Sequence, residues 1–319
     1  VATRFAPLRR RLGVGLIVLL ALLPGAAAPA AASAVVVVDA LGREVRFSAP
    51  ARRIVSLAPN LTEIVFALGL GDRLVGVTDF CDYPPAARQV ARVGGITGPS
   101  AEQIVALAPD LVLATTAGNG KEQVLGLARL GLRVVVTDPK DLASVADSFV
   151  LVARAAGVPE AGARVAAEFR RRLDAVRRAV AGLPRPRTLL LVWPDPLIAA
   201  GPRTFPSRLL EAAGGTNALA VEWSAAYPTI GLESLLAIAP DAIVLAAHQG
   251  TTLEALARLS RYGDVPAIRD GRLAVIDQAI LARPGPRLAD AAEQLTRLLH
   301  GALPRENQGA GASNGGPRP

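Results

Sequence analysis

The sequence predicts an α/β protein of two lobes, each a mainly parallel sheet flanked by helices, joined by one long α-helix. Three observations carry this. First, short apolar runs of strand length alternate with helical stretches on both sides of the chain's middle, and strand, turn, helix, strand units with short connections pack as parallel sheets covered by helices. Second, Ala161, Val165, Phe169, Leu173, Val176 and Val180 fall three and four apart among arginines and acids, the pattern of one buried helical stripe. That helix is expected over residues 159–183, roughly 35 Å long, with Pro184-Arg185-Pro186 stopping it. Third, Ala101-Glu102-Gln103-Ile104-Val105-Ala106-Leu107-Ala108-Pro109-Asp110 is echoed by Leu232-Glu233-Ser234-Leu235-Leu236-Ala237-Ile238-Ala239-Pro240-Asp241, with the glutamate seven residues before the proline in both. A repeat on either side of a long helix implies two lobes of similar build with a cleft between them.

Composition agrees. The chain is 51% hydrophobic and 19% charged, which excludes disorder for most of it, and its 319 residues can bury two ordinary cores. Arg4, Arg9, Arg10 and Arg11 precede an uncharged apolar run (12–23) and a small-residue stretch (26–34), so residues 1–34 read as a secretory signal with Ala32-Ser33-Ala34 as its cleavage site. The run is short for a bilayer span, and Arg9-Arg10-Arg11 leaves general secretory and twin-arginine export both open. Cys81 is the only cysteine, so no lipid-bearing cysteine follows the apolar run and no disulfide forms within one chain. Removing the four leader arginines from the formal +8 leaves a mature charge near +4, too small and too evenly spread to point to nucleic acid.

The first lobe is expected over 35–158. Residues 35–38 and 43–47 form a hairpin around Leu41-Gly42, and Arg53-Ile54-Val55-Ser56-Leu57 is a buried strand turning through Ala58-Pro59-Asn60 into an apolar helix that ends at Gly69. Residues 74–77 are the next strand. Ligands of parallel sheets collect beyond the carboxyl ends of the strands, which places Asn60 and Thr78-Asp79-Phe80-Cys81-Asp82-Tyr83-Pro84-Pro85 at the cleft mouth. With only 4% aromatics, either Phe80 or Tyr83 faces the cleft or both pack the loop; Cys81 is a small buried packer and Asp82 caps the turn. Ser100 and Gln103 suit a capping box, with Glu102 complementing the helix dipole. The glycines of Thr115-Thr116-Ala117-Gly118-Asn119-Gly120-Lys121 lack a phosphate-binding pattern, and strand 132–137 and helix 141–156 complete the lobe.

The second lobe is expected over 187–303, with a disordered tail over 304–319. Strand 188–192 delivers Trp193 to its carboxyl end, helix 205–213 is closed by Gly214-Gly215-Thr216-Asn217, and Tyr227 precedes the second glutamate repeat while Trp223 covers a surface seam. His248, after strand 242–247, faces the cleft or sits in a loop. With only His248 and His300 in the chain, a receptor for bare zinc or manganese is disfavoured. After strand 273–276, Arg283-Pro284-Gly285-Pro286-Arg287 introduces the closing helix; Arg283 can pair with an acidic or amide group of a ligand, and Arg287 can cap and pack. One cysteine and two scattered histidines assemble no nucleophile, base and orienting group, so no enzyme is expected; a secreted metal-dependent hydrolase and an adhesive scaffold stand as rivals from other classes.

These residues also resemble a known family. The run Ile54-Val55-Ser56-Leu57-Ala58-Pro59-Asn60-Leu61-Thr62-Glu63, Val75-Gly76-Val77, Asp82-Tyr83-Pro84-Pro85, the two Glu/Pro-Asp repeats, Gly118-Asn119 and Arg283-Pro284-Gly285-Pro286-Arg287 are similar to the helical-backbone class of periplasmic substrate-binding proteins, and within it to the cobalamin-binding branch of ABC importers. The resemblance implies a monomeric periplasmic receptor with no cofactor of its own. It implies that Glu102 and Glu233 dock onto the two subunits of an inner-membrane permease that works with ATPase subunits, and that Asn60, Phe80, Trp193, Tyr227 and Arg283 line a corrinoid cleft. Ile96 and Thr115 stand where some relatives carry an aromatic. Haem, a ferric siderophore or a precursor such as cobinamide suits the same cleft, and the stiff connector implies small lobe motions.

Overall fold

Short β-branched runs punctuated by glycine, proline and aspartate form the strands of this chain, and amphipathic helices cover them. The computed structural model describes residues 35–219, 223, 225–247, 259 and 262–301. The expected leader over 1–34, His248 and the expected tail over 304–319 lie outside the described residues.

In the first lobe β1 (Val35–Val38) and β2 (Glu44–Phe47) pair antiparallel, their turn held by the Asp39 carboxylate, which accepts the Leu41 and Arg43 N–H groups at 3.0 Å. The main sheet is parallel, with β3 (Ile54–Ser56), β4 (Leu74–Val77), β5 (Leu111–Thr115) and β6 (Val134–Thr137) in the order β4-β3-β5-β6. The second lobe holds β7 (Arg187–Pro194), β8 (Leu197–Ala199), β9 (Thr216–Asn217), β10 (Ala242–Ala247) and β11 (Leu273–Asp277) in the order β11-β10-β7-β8, with β9 beside β7. Matching β3 to β7, β4 to β8, β5 to β10 and β6 to β11 superimposes the two orders, so the repeat seen in the sequence extends to topology. The lobes differ at one place. β8 folds straight back on β7 as an antiparallel hairpin, where β4 arrives parallel through a helix. Only three residues long, β8 has too few side chains to show a period.

The first lobe's helices are α1 (Pro59–Ala67), α2 (Ala101–Ala106), α3 (Lys121–Arg129) and α4 (Leu142–Ala155), and the connector is α5 (Pro159–Ala179), which packs on α4. It ends four residues before the expected 183: Val180 caps it, the Leu183 N–H turns back to the Val180 carbonyl at 3.1 Å, and Gly182 takes φ +79°, a conformation that leaves the helix before the prolines arrive. Phe149 and Phe169 meet edge to face, ring centres 5.3 Å apart. At Gly162 the two backbones come so close that a Cβ would collide with the Ala153 Cβ and lie 3.1 Å from the Phe149 carbonyl oxygen. On its other side Arg172 reaches Asp290 at 2.6 Å and Glu293 at 2.8 Å, both on the closing helix (Leu288–His300).

One apolar core runs through both lobes, taking Ile64 and Leu113 from the first, Phe149 and Leu173 from the α4–α5 pair, and Leu190, Val244 and Leu295 from the second. The far faces of the two sheets bury separate clusters, around Val55, Val112 and Val136 in one lobe and Leu191, Leu245 and Val265 in the other. Gly162→Leu should therefore overpack the α4–α5 contact, cost about 2–3 kcal/mol and lower the melting temperature by about 6 °C, read by circular dichroism. A melt within a degree of the parent would show that the helices part without cost.

Candidate functional site

The first lobe presents its strand ends through α1 (Pro59–Ala67), which starts directly behind β3 with Pro59 in its first turn. At the switch point between β3 and β5, the buried Asn119 side chain accepts the Thr115 N–H at 2.9 Å and donates to the Leu57 and Ile96 carbonyls at 3.1 and 2.8 Å, fixing this edge of the sheet. The loop after β4 is anchored from below. Cys81 is fully buried, with its Sγ 3.1 Å from both Thr62 Oγ1 and Thr78 Oγ1, and Arg92 donates to the Thr78 and Cys81 carbonyls at 2.8 and 3.0 Å. So anchored, the loop holds Phe80 outward at 59% exposure, with Tyr83 also exposed.

Across the seam lies the loop 283–287. Glu63, one carboxylate in an otherwise apolar stretch of α1 and 2% exposed at its side chain, receives Arg287 Nε at 3.0 Å and Nη2 at 2.6 Å as a two-pronged pair. The same guanidinium lies 3.9 Å above the centre of the Tyr83 ring. Arg283 donates to Asp82 at 2.5 Å and approaches Glu63 at 3.4 Å, and Asn60 Nδ2 reaches the Pro284 carbonyl at 3.4 Å. The expected cleft arginine is thus held by carboxylates of the opposite lobe, Asn60 is buried at the same seam, Asp82 bridges lobes rather than capping its turn, and Arg287 locks rather than merely packs. Burial pushes the Asp82 carboxyl up, but the Arg283 hydrogen bond and charge outweigh it and hold Asp82 below the ordinary carboxylate range.

In the second lobe Trp193 closes β7 at 46% exposure, its indole donating to the Asp195 carbonyl at 2.9 Å. Tyr227 sits on the segment laid beside β8, where Thr229 bridges to Ile198. That segment presses on Gly201, whose N–H donates to the Ala226 carbonyl at 2.8 Å and where any Cβ would come within 2.8 Å of the Ala225 oxygen. Tyr227 is 51% exposed, and desolvation raises its phenol above the ordinary value. Among the described residues the exposed aromatics are Phe80, Tyr83, Trp193 and Tyr227.

The repeated glutamates are both exposed, each in the first turn of a short helix, Glu102 on Ala101–Ala106 and Glu233 on Leu232–Ile238. Ser100 caps the first, accepting the Gln103 N–H at 3.2 Å. Each helix ends on an alanine in the left-handed region, Ala108 at φ +43° and Ala239 at φ +42°. Each end is also clamped by an arginine that sequence reasoning passed over. Arg53 donates to the Leu107 carbonyl at 2.8 Å and Arg187 to the Ile238 carbonyl at 3.0 Å, while Asp110 and Asp241 accept the N–H groups of those same arginines at 3.0 and 2.8 Å. An arginine at a comparable distance before each Pro-Asp, 57 residues before Asp110 and 54 before Asp241, was the available signal.

Two lobes built on mainly parallel sheets and joined by one long helix, with exposed aromatics on both, have the build of a two-lobed binding protein. The chain belongs to the periplasmic binding protein family, whose model matches residues 54–280. It is 32% identical over 254 residues to the vitamin B12-binding protein of Vibrio cholerae, covering 78% of this chain and 90% of that one, and 30% identical over 249 residues to its counterpart in Vibrio vulnificus, with the same coverage. Among solved structures it is similar to the periplasmic vitamin B12 binding protein BtuF of Vibrio cholerae (TM-score 0.70, 32% identity, 78% of this chain and 97% of that chain). It is also similar to the periplasmic heme-binding protein BhuT (TM-score 0.70, 32% identity, 79% and 98%).

Breaking the buried pair should cost more than any other single charge change at the seam. Glu63→Gln leaves Arg287 without its counter-charge and is expected to destabilise by about 3–5 kcal/mol in urea unfolding, whereas Glu63→Gln with Arg287→Met recovers most of it. The Asp82 pairing should show its own pH signature. Because the folded carboxyl titrates below its ordinary unfolded value, its contribution is complete at neutral pH and lost as pH falls through that depressed value. The stabilities of the parent and Asp82→Asn should therefore differ at neutral pH, by under about 1 kcal/mol because solvent screens the half-exposed pair, and converge as pH falls below the ordinary carboxylate range, as read from melts across the acid limb.

Proposed function

We propose that the protein is the periplasmic receptor of an ABC importer, that it binds cobalamin or a related corrinoid between its lobes, and that it delivers this cargo to the permease. The observation that carries the reading is the placement of the aromatics. In a chain with 4% of them, Phe80, Trp193 and Tyr227 stand exposed on both lobes, and flat apolar ring faces suit a flat macrocycle. The vitamin B12-binding names of relatives at 30–32% identity support the ligand class. In this reading Asn60 and Arg283 form the floor of the site, and residues 1–34 act as an export signal removed near Ala34. Glu102 and Glu233, exposed on rigidly clamped helices of equivalent build, offer two like charges to the two subunits of a permease dimer, a match that one carboxylate could not make.

The heme-binding relatives make haem the second reading. Calorimetric titration of the mature protein with cyanocobalamin, cobinamide, haemin and a ferric siderophore separates the two. Saturable heat with a corrinoid is expected, weakened about tenfold by Trp193→Ala. Haemin binding with a Soret band shifted by Tyr227, and no heat with either corrinoid, would replace corrinoid by haem. In a reconstituted importer, Glu102→Ala with Glu233→Ala should reduce uptake by at least about tenfold through lost docking charge. Undiminished uptake by that double variant would remove the glutamates from the interface.

A further inference from the structure

Four charges meet at the seam: the carboxylates of Glu63 and Asp82 and the guanidiniums of Arg283 and Arg287, a formal sum of zero. Their pairings are unequal. Arg287 occupies both oxygens of Glu63, at 3.0 and 2.6 Å, which leaves Arg283 only a 3.4 Å approach to that group. The close partner of Arg283 is therefore Asp82, at 2.5 Å, and the Asp82 side chain is 51% exposed while that of Arg283 is 19% exposed. An arginine next to Phe80, whose carbonyl it also meets at 3.4 Å, would by itself be a natural anchor for a carboxylate on a bound ring system. With Asp82 in place that anchor is covered, and a ligand carboxylate meets a negative charge first.

Resting on the corrinoid reading above, we propose that Asp82 is a positioning residue for ligand choice: by engaging Arg283 it turns the site away from macrocycles fringed with carboxylates and leaves those fringed with neutral amides favoured. The discrimination works by repulsion and by occupation of Arg283, the one of the two loop arginines that Glu63 does not hold two-pronged. A neutral amide provokes no such repulsion and can still accept from the remaining guanidinium N–H groups.

The test compares ligands that differ by charge alone. Wild type, Asp82→Asn and Asp82→Asn/Arg283→Gln are titrated calorimetrically with cyanocobalamin and with its monocarboxylate, made by hydrolysing one propionamide to propionate; haemin, with two propionates, is a second acidic probe. Thermal melts confirm that each variant is folded. Wild type should favour the amide. Asp82→Asn should move the affinity ratio toward the acid by about tenfold, the worth of one newly available charge contact at a partly exposed site. The shift should shrink at 0.5 M salt and vanish in the double variant, because it runs through Arg283. An unchanged ratio in Asp82→Asn, with cyanocobalamin still bound by the wild type, would overturn the role of Asp82 alone. A shift that survives loss of Arg283 would do the same. Absence of heat from both corrinoids with the wild type would instead remove the corrinoid reading on which the proposal stands.

Discussion

The constraint on which the structure turns is the burial of the Glu63 carboxylate. An ionised group at 2% side-chain exposure is tolerable only with a close counter-charge and filled hydrogen-bonding positions, and both come from residues more than 200 positions later in the chain. That demand pins the loop 283–287 of the second lobe against α1 of the first. Tyr83 covers one face of the same guanidinium, and Asp82 takes up the second arginine of the loop. What looks from the sequence like a ligand-facing arginine is first of all a structural bond between lobes.

That bond works together with the connector. A helix of 21 residues whose stripe is shared between lobes resists bending, and the apolar core continues through it from one sheet to the other. Arg172 ties the same helix to the closing helix through two carboxylates. Rotation of one lobe against the other would have to open the core, the Glu63 pairs and the Arg172 pairs together. Closure by a free hinge is therefore unavailable to this design, and selection among ligands has to come from side chains already in place rather than from a change of shape.

The sequence was most legible where the physics is local. Runs such as Val134-Val135-Val136 bounded by Gly131 and Pro139 can hardly be anything but buried strands, and the stripe on α5 follows from spacing alone. The Pro-Asp repeats were readable as lobes because proline and aspartate punctuate both at the same offset. The end of α5 was misjudged because prolines at 184 and 186 are stronger marks on the page than Gly182, which in fact takes the positive φ. β8 was missed because three residues show no period. The seam was invisible for a deeper reason: Glu63 and Arg287 are separated by 224 residues, and pairing at that distance is a product of topology. A lone glutamate between Thr62 and Ile64 in an apolar helix, and two arginines flanking Pro-Gly-Pro, were each odd; only their meeting explains them.

The repeat gains its meaning from this rigidity. Each short helix carries its glutamate in the first turn and is clamped at its other end by the arginine that opens the lobe's sheet, so each carboxylate is fixed relative to its own strands. The shared core and the seam then fix one sheet relative to the other. The separation between the two exposed acids is consequently a property of the whole frame, set by burial far from either of them. Two charges held at a constant spacing can recognise a partner by geometry as well as by sign, whereas on lobes that swung freely the same pair would offer only attraction.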